Sequence, residues 1–250
     1  MDCLRVSGRG EQRRIAAILD KADALRRKRK RALDLLDGLT QSIFLEMFGD
    51  PIQNANGHPV ASLAEVVSPD RKITYGILKP GPDVADGVPY VRVVDIQNNR
   101  VNVDQLRRTT PEIAHEYRRS KLKAGDLLIS IRGHVGRMAI APEECDGANI
   151  TQDTARLAVK DADAEFVKAQ LETDPARHWM DQRTRGAAVK GINLGDLRQF
   201  PIILPKRDEQ ERFRQCVERL RAKELANSAQ LQQLDILFAS LQSRAFSGQL

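Results

Sequence analysis

Apolar residues in the first fifty positions recur at spacings of three and four: Ile15, Ile18, Ala22, Leu25, Ala32, Leu36, Leu39 and Ile43. That spacing places one stripe along one side of an α-helix and predicts a helix whose apolar face meets a partner helix. No proline interrupts the segment. If continuous from 11 to 48, the helix extends roughly 57 Å at 1.5 Å per residue, too far for its own neighbourhood to cover. Gly49-Asp50-Pro51 marks its end, because glycine suits a C-terminal cap and proline cannot continue a helix. The pattern returns at the other end of the chain as Phe213, Cys216, Leu220, Leu234, Leu237 and Leu241. One offset of 198 positions aligns the two ends without a gap, pairing Glu11-Gln12 with Glu209-Gln210, Leu36-Asp37 with Leu234-Asp235 and Phe48 with Phe246. The ends are copies, and an antiparallel pair of long helices within one chain is the economical way to cover both stripes. Both stripes turn polar midway, at the equivalent positions Arg29 and Asn227. A polar step of that kind fixes register at some cost in stability.

Between the copies the periodicity changes. Val88–Ile96, Asp126–Ile131 and Thr154–Val159 are short runs rich in β-branched residues and bounded by Gly, Pro, Asn or Asp, the pattern of strands. Residues 164–185 are expected to be helical. The fold class expected is α+β: one globular α/β domain at 51–205, flanked by long helices at 1–50 and 206–250 that form an antiparallel coiled coil. A middle domain of roughly 150 residues has an ordinary size.

Charge adds a direction without settling it. Lys and Arg number 40 against 34 Asp and Glu, a formal net charge of +6, which suits a polyanionic partner as well as an ordinary basic surface. Cys3, Cys145 and Cys216 show no metal-site or disulfide spacing, so a reducing cytoplasm is the expected compartment and no metal or cofactor is expected. No stretch approaches the roughly 18 apolar residues of a membrane span. No glycine fingerprint opens a βαβ unit, and no Asn/Asp-Pro-Pro-aromatic run is present, so no catalytic residue is expected. Gly186-x4-Gly191 continues as Ile-Asn where a phosphate loop has Lys-Ser/Thr.

Candidate contacts to nucleic acid fall in loops. Arg132, His134 and Arg137 lie in the Gly-containing segment Arg-Gly-His-Val-Gly-Arg after an expected strand, where arginine's fork suits guanine or phosphate and glycine lets backbone approach closely. Arg183, Arg185, Lys190 and Asn193 flank a second such loop. Lys72, Thr74 and Tyr75, together with Arg92, Gln97, Asn98, Asn99 and Arg100, supply donors and acceptors of the kind base edges require. Asn149 and Gln152 precede a strand, where contact with DNA and hydrogen bonding within a turn are both open. The run Arg26–Arg31, with Arg13, Arg14 and Lys21, is either a solvated helix face or a surface for phosphates or a partner.

Several of these segments also resemble a known family. Glu11-Gln-Arg-Arg-Ile-Ala-Ala-Ile-Leu-Asp-Lys-Ala-Asp-Ala-Leu-Arg26 and Phe44-Leu-Glu-Met-Phe-Gly-Asp-Pro51 closely resemble the conserved helical region of type I restriction-modification specificity subunits. Gly87–Ile96, Leu122–Gly133 with Val135-Gly136, Ala148–Asp153, and Gly186–Leu194 leading to Phe200–Pro205 resemble the target-recognition domains of that family. The resemblance implies that the middle domain reads double-stranded DNA and that DNA methyltransferase (modification) subunits dock on the helices. Catalysis then belongs to those subunits and to a restriction (nuclease/translocase) subunit where one is present. On this view Ile15, Ile18, Leu25, Leu36, Leu39, Ile43, Phe213, Leu220, Leu234, Leu237 and Leu241 form the helix and subunit interface. Typical members carry two recognition domains and this chain carries one, so the expectation is a half-subunit, natural or from a split gene. Such a half pairs with itself or with a second half-subunit. The competing reading is a truncated subunit that acts as a coiled-coil adaptor or regulator of the methyltransferase and reads no sequence itself.

Overall fold

The structure, a computed structural model, describes residues 9–247. Cys3 lies outside them. The chain opens with α1 (Arg9–Asp37) and α2 (Leu39–Phe48), followed by β1 (Val60–Ser62), β2 (Thr74–Tyr75), β3 (Val88–Val91), β4 (Ile96–Gln97), β5 (Arg100–Val101) and β6 (Arg107–Thr109). It continues through α3 (Pro111–Glu116), β7 (Leu127–Ser130), β8 (Met138–Ile140), β9 (Asn149–Ile150) and β10 (Thr154–Leu157). Helices α4 (Ala164–Glu172), α5 (Asp174–Arg183) and α6 (Leu194–Arg198), strand β11 (Pro201–Ile203) and the long α7 (Arg207–Phe246) complete it. This is the α+β fold the sequence implied, with strands where the β-branched runs stand. The first helix is not continuous: a turn at Gly38 divides α1 from α2, at the residue with the poorest helix propensity after proline.

Two compact units result, one from the chain ends up to Thr40 and from Gln215, the other from Gln41–Arg214. In the first, α1 and α7 run antiparallel. Arg29 donates to the Asn227 side chain at 2.6 Å, and Arg26 reaches Asp235 at 2.5 Å while its guanidinium lies 4.5 Å from the Phe238 ring centre. Arg29 and Asn227 are repeat equivalents, so the local two-fold relating the copies passes between them. Among the less exposed positions, 15, 19, 22, 26, 29, 33, 36 and 40 in the first copy and 217, 220, 224, 227, 231, 234, 238, 241 and 245 on α7 keep a four-three alternation, with 18, 23, 32 and 221 half-buried beside them. This is the 3.5-residue repeat of a coiled-coil seam. Leu25, Leu39 and Leu237, expected in the seam, are instead 48%, 38% and 51% exposed. Arg26, Thr40 and Phe238 take their places, because the heptad fixes which positions face inward even where the residue is polar.

Phe213 and Ile43 belong to the second unit. Phe44, Phe48, Phe166 and Phe213 are fully buried, and every pair of their rings lies between 5.1 and 6.0 Å apart. Mostly tilted and edge-to-face pairing at these distances adds to the burial of area itself. Gly49, at φ +76°, ends α2 by donating its N–H to the Leu45 carbonyl at 2.9 Å.

The sheets of this unit are short. One runs β2-β10-β7-β8 and is antiparallel throughout; another runs β6-β3-β9, with β3 and β9 parallel. Val91, Ile96, Leu122, Leu128, Ala139, Cys145 and Ile150 pack together as a dry core. The β1–β11 pair brings 60–62 to 201–203. The helical stretch expected at 164–185 is two helices, divided at Thr173, whose hydroxyl caps α5.

Candidate nucleic-acid interface

Two loops carrying expected contact residues are stitched into one edge. Ser130, at the end of β7, accepts from the Arg137 N–H at 2.8 Å and donates its hydroxyl to the His134 carbonyl, closing residues 131–136 into a tight turn. Beside it, the Arg185 and Gly191 backbones bond each other in both directions at 2.8 Å, closing a loop at 186–190. Gly186 has φ +122°, and a Cβ there would stand 2.1 Å from the Val189 carbonyl, so only glycine allows this closure. The two loops are then joined: Gly133 N–H donates to the Lys190 carbonyl and Ile192 N–H to the Ile131 carbonyl, both at 2.9 Å. Arg132, His134, Arg137, Arg185 and Lys190 are all exposed along this edge. Val189, which sequence reasoning missed, projects from the loop tip at 62% exposure. A large apolar group beside cations is the chemistry that meets a thymine methyl next to phosphates.

The hairpin β4–β5 extends the edge. Asn98 and Asn99 both have positive φ, +49° and +59°, as a two-residue turn of this type requires. Gln97, Asn98 and Asn99 line a depression of about 340 Å³ together with Arg137. Arg100 is exposed on the same hairpin. Gln97 also donates to the Val94 carbonyl at 2.9 Å.

Other expected contact residues are committed elsewhere. Asn149 is 2% exposed, and its amide donates to the Tyr117 carbonyl and the Ser120 hydroxyl at 3.1 and 3.2 Å. It secures β9 instead of facing solvent. The Gln152 amide, oriented to donate, reaches the Leu78 and Ile77 carbonyls at 3.0 and 2.6 Å. Arg92 forks onto Asp95 at 2.9 and 2.6 Å, and that bond holds the guanidinium above its ordinary pKa, leaving no fork for a base. Asn193 caps α6, accepting from the Asp196 N–H at 2.8 Å. Arg183 lies over the Trp179 ring at 3.7 Å and donates to the Trp179 carbonyl. In each case a polar residue that looks available in sequence satisfies a neighbouring group that folding would otherwise leave unpaired.

Lys72 and Thr74 line a second feature, a cleft of about 760 Å³. Its other cations, Arg71, Arg118, Arg119, Lys121, Lys123, Arg156 and Arg198, were not singled out by sequence reasoning. The run Arg118-Arg-Ser-Lys-Leu-Lys123 was the visible signal. Tyr75, next to this cleft in sequence, is 46% exposed. Among the described residues no group of three or more His, Cys, Asp or Glu is placed to hold a metal ion, and no helix is long and apolar enough to cross a membrane.

These features define a mixed module with short sheets, attached to an antiparallel pair of repeated helices. Residues 62–235 match the family described as type I restriction modification DNA specificity domain, and the chain belongs to that family. It is 32% identical over 195 residues to the EcoBI type I restriction enzyme specificity subunit of Escherichia coli, covering 75% of this chain and 41% of that protein. Solved structures share the fold. A chain from a type I R-M system, solved for its complex assembly and conformational transition, matches with TM-score 0.65 and 22% identity, over 97% of this chain and 59% of that one. The HsdS subunit from Thermoanaerobacter tengcongensis gives 0.57 and 22%, over 96% of this chain and 59% of its own. The S subunit from M. genitalium gives 0.54 and 15%, over 94% and 60%. The chain thus spans about two fifths of the curated relative and three fifths of the solved chains.

Proposed function

We propose that this chain is a non-catalytic, sequence-specific DNA-binding subunit of a type I restriction-modification complex, reading one half of a bipartite duplex target. The observation that carries the reading is the fusion of the 131–137 and 185–191 loops into one exposed basic edge by the Gly133–Lys190 and Ile192–Ile131 hydrogen bonds. Arg132, Arg137, Arg185 and Lys190 supply forks and charges, His134 and the 97–99 hairpin supply further donors and acceptors, and Val189 supplies an apolar tip. Base edges in a major groove are read by this mixture of groups. Family membership supports the same assignment.

The helix pair suits docking of modification subunits. Arg26 and Arg29 of the basic run turn into the seam, whereas Arg27, Lys28, Lys30 and Arg31 remain exposed as a surface for such a partner. Repeated helices packed antiparallel present equivalent ends in inverted order, the symmetry a bipartite target needs. A second recognition module supplies the other half-site.

The decisive measurement is affinity for a selected duplex against random duplexes, with modification subunits present. Arg132→Ala is expected to lower the ratio of specific to random binding by about 1–3 kcal/mol, roughly fivefold to 160-fold. A wild-type chain that binds selected and random duplexes alike would overturn the reading in favour of an adaptor.

A further inference from the structure

The 760 Å³ cleft carries a charge pattern that the edge described above does not use. Eight of its lining residues are basic and two, Asp70 and Asp146, are acidic. That excess of six equals the formal net charge of the whole chain, +6, so the rest of the protein is electrically balanced. Like charges gathered this closely raise the energy of the free protein and lower it when a polyanion arrives.

At the cleft, Arg156 is 2% exposed. Its Nη2 donates to the carbonyls of Lys72 and Arg119, at 3.0 and 3.1 Å, so one guanidinium ties together two segments of the cleft wall. Its Nε has no partner. Burial first, and then the charge of Arg71, press its pKa below the ordinary value. Arg71 itself is engaged by Asp126 at 2.8 and 2.5 Å, and the Asp126 charge acts on Arg156 in the opposite direction but more weakly than burial and Arg71 do. In front, Arg118, Arg119, Lys121 and Lys123 are exposed, with no side-chain ion pair or hydrogen bond to the described residues. A buried, incompletely bonded guanidinium behind unengaged cations is an anion site awaiting its anion.

The lining also selects the kind of anion. No aromatic ring lines the cleft, so it offers no platform for stacking a base. Arg156 pairs with Leu128 near the start of β7, whereas the basic edge follows Ser130 at the end of that strand. A four-residue strand spans about 13 Å, close to four base-pair steps of duplex DNA at 3.4 Å each. We propose that the cleft around Arg156 binds backbone phosphates of duplex DNA beside the bases read by the 131–137 and 185–191 loops, without regard to sequence. The assignment rests on the chain being a duplex-binding module, and it adds a second contact of different chemistry.

The test uses the full chain with random and selected 20-base-pair duplexes across a salt series. The triple variant Arg118→Ala, Arg119→Ala, Lys121→Ala changes exposed side chains only and is expected to keep the wild-type melting temperature. It is expected to reduce the slope of log affinity against log salt by about 2 to 3. It should weaken random and selected duplexes by the same factor, leaving their ratio unchanged. Arg132→Ala should do the reverse, lowering the ratio with at most about one unit of slope lost. If the triple variant loses slope while Arg132→Ala leaves the ratio intact, the cleft stands and the edge is not the reader. An unchanged slope in a folded triple variant, or no duplex binding by the wild-type chain at 50 mM salt, would overturn the cleft assignment. Inorganic phosphate held by the wild type and lost by the triple variant, with duplex affinity untouched, would overturn it too, in favour of a free-anion site.

Discussion

The helix pair and the module between its strands of sequence solve the same packing problem by opposite means. In the pair, half-buried seam positions alternate along two thin helices, and the middle of the seam is polar: Arg26, Arg29, Glu224 and Asn227. In the module, four phenylalanines exclude water entirely, and a core of aliphatic residues lies under the short strands. A dry cluster stabilises through area and packing, and tolerates little change in volume. A seam with a polar centre gives up some of that stability and gains a defined register. The comparison teaches that the part expected to read DNA is held rigid, while the part expected to meet partner subunits is held in register.

The largest expected effect comes from emptying the aromatic cluster. Phe48 is 1% exposed and its ring touches those of Phe44, Phe166 and Phe213. Phe48→Ala is expected to cost about 3–5 kcal/mol of unfolding free energy, through lost transfer energy and the cavity left behind. Chemical denaturation followed by Trp179 fluorescence reads the module directly, since Trp179 stacks edge-on against Phe200 at 4.9 Å within it. A loss below about 1 kcal/mol would mean that the cluster collapses to fill the space, and the contrast between dry core and polar seam would fail.

How much of this was legible in the sequence depended on the range of the interactions involved. Both long helices and their antiparallel partnership follow from a local periodicity and an internal repeat, and the strands follow from β-branched runs. The exact seam did not follow, because the apolar residues Leu25, Leu39 and Leu237 drew the stripe onto positions that the heptad turns outward. The joining of loops 131–137 and 185–191 was hidden as well, since those segments meet only through backbone bonds that no side chain announces. The cleft cations come from positions 71–72, 118–123, 156 and 198, and the β2–β10–β7 pairing helps gather them. Asn149 and Arg92 show the converse: polar residues whose partners, Ser120 and Asp95, absorb them into the interior.

A smaller effect sharpens the other side of the comparison. Asn227→Ala strips Arg29 of its 2.6 Å partner at the two-fold of the repeat and is expected to cost about 1–2 kcal/mol in the helix pair. Replacing both residues, Arg29→Leu with Asn227→Leu, is expected to recover or exceed the wild-type melting temperature, because no half-buried polar group is then left without its partner. The gain should come with looser register, seen as a spread of distances between spin labels on the two helices. A double variant as destabilised as the single one, with a single sharp distance, would show that the polar pair does not act as a register device.

The smallest effect uses the cysteines, one described in each region. Cys145 is fully buried in the aliphatic core, and burial, followed by the charge of Glu144, pushes its thiol up to about 11. Cys216, at the start of the helix-pair unit, is half-buried. A thiol whose folded pKa exceeds its unfolded value favours the protonated form, so its contribution is fully present below the unfolded pKa and is lost as pH rises toward the folded one. For Cys145 the window opens near 9 and closes near 11, with a loss of about 1 kcal/mol by pH 10. Cys145→Ala is expected to flatten that part of the stability curve, and the difference in slope between the two proteins isolates the thiol from tyrosines and lysines titrating nearby. In the native protein at pH 8, a thiol reagent should modify Cys216 well before Cys145, which reacts only when the core opens. Equal labelling rates at the two sites would mean that the module opens as readily as the helix pair, and the rigidity assigned to the reading unit would be lost with it.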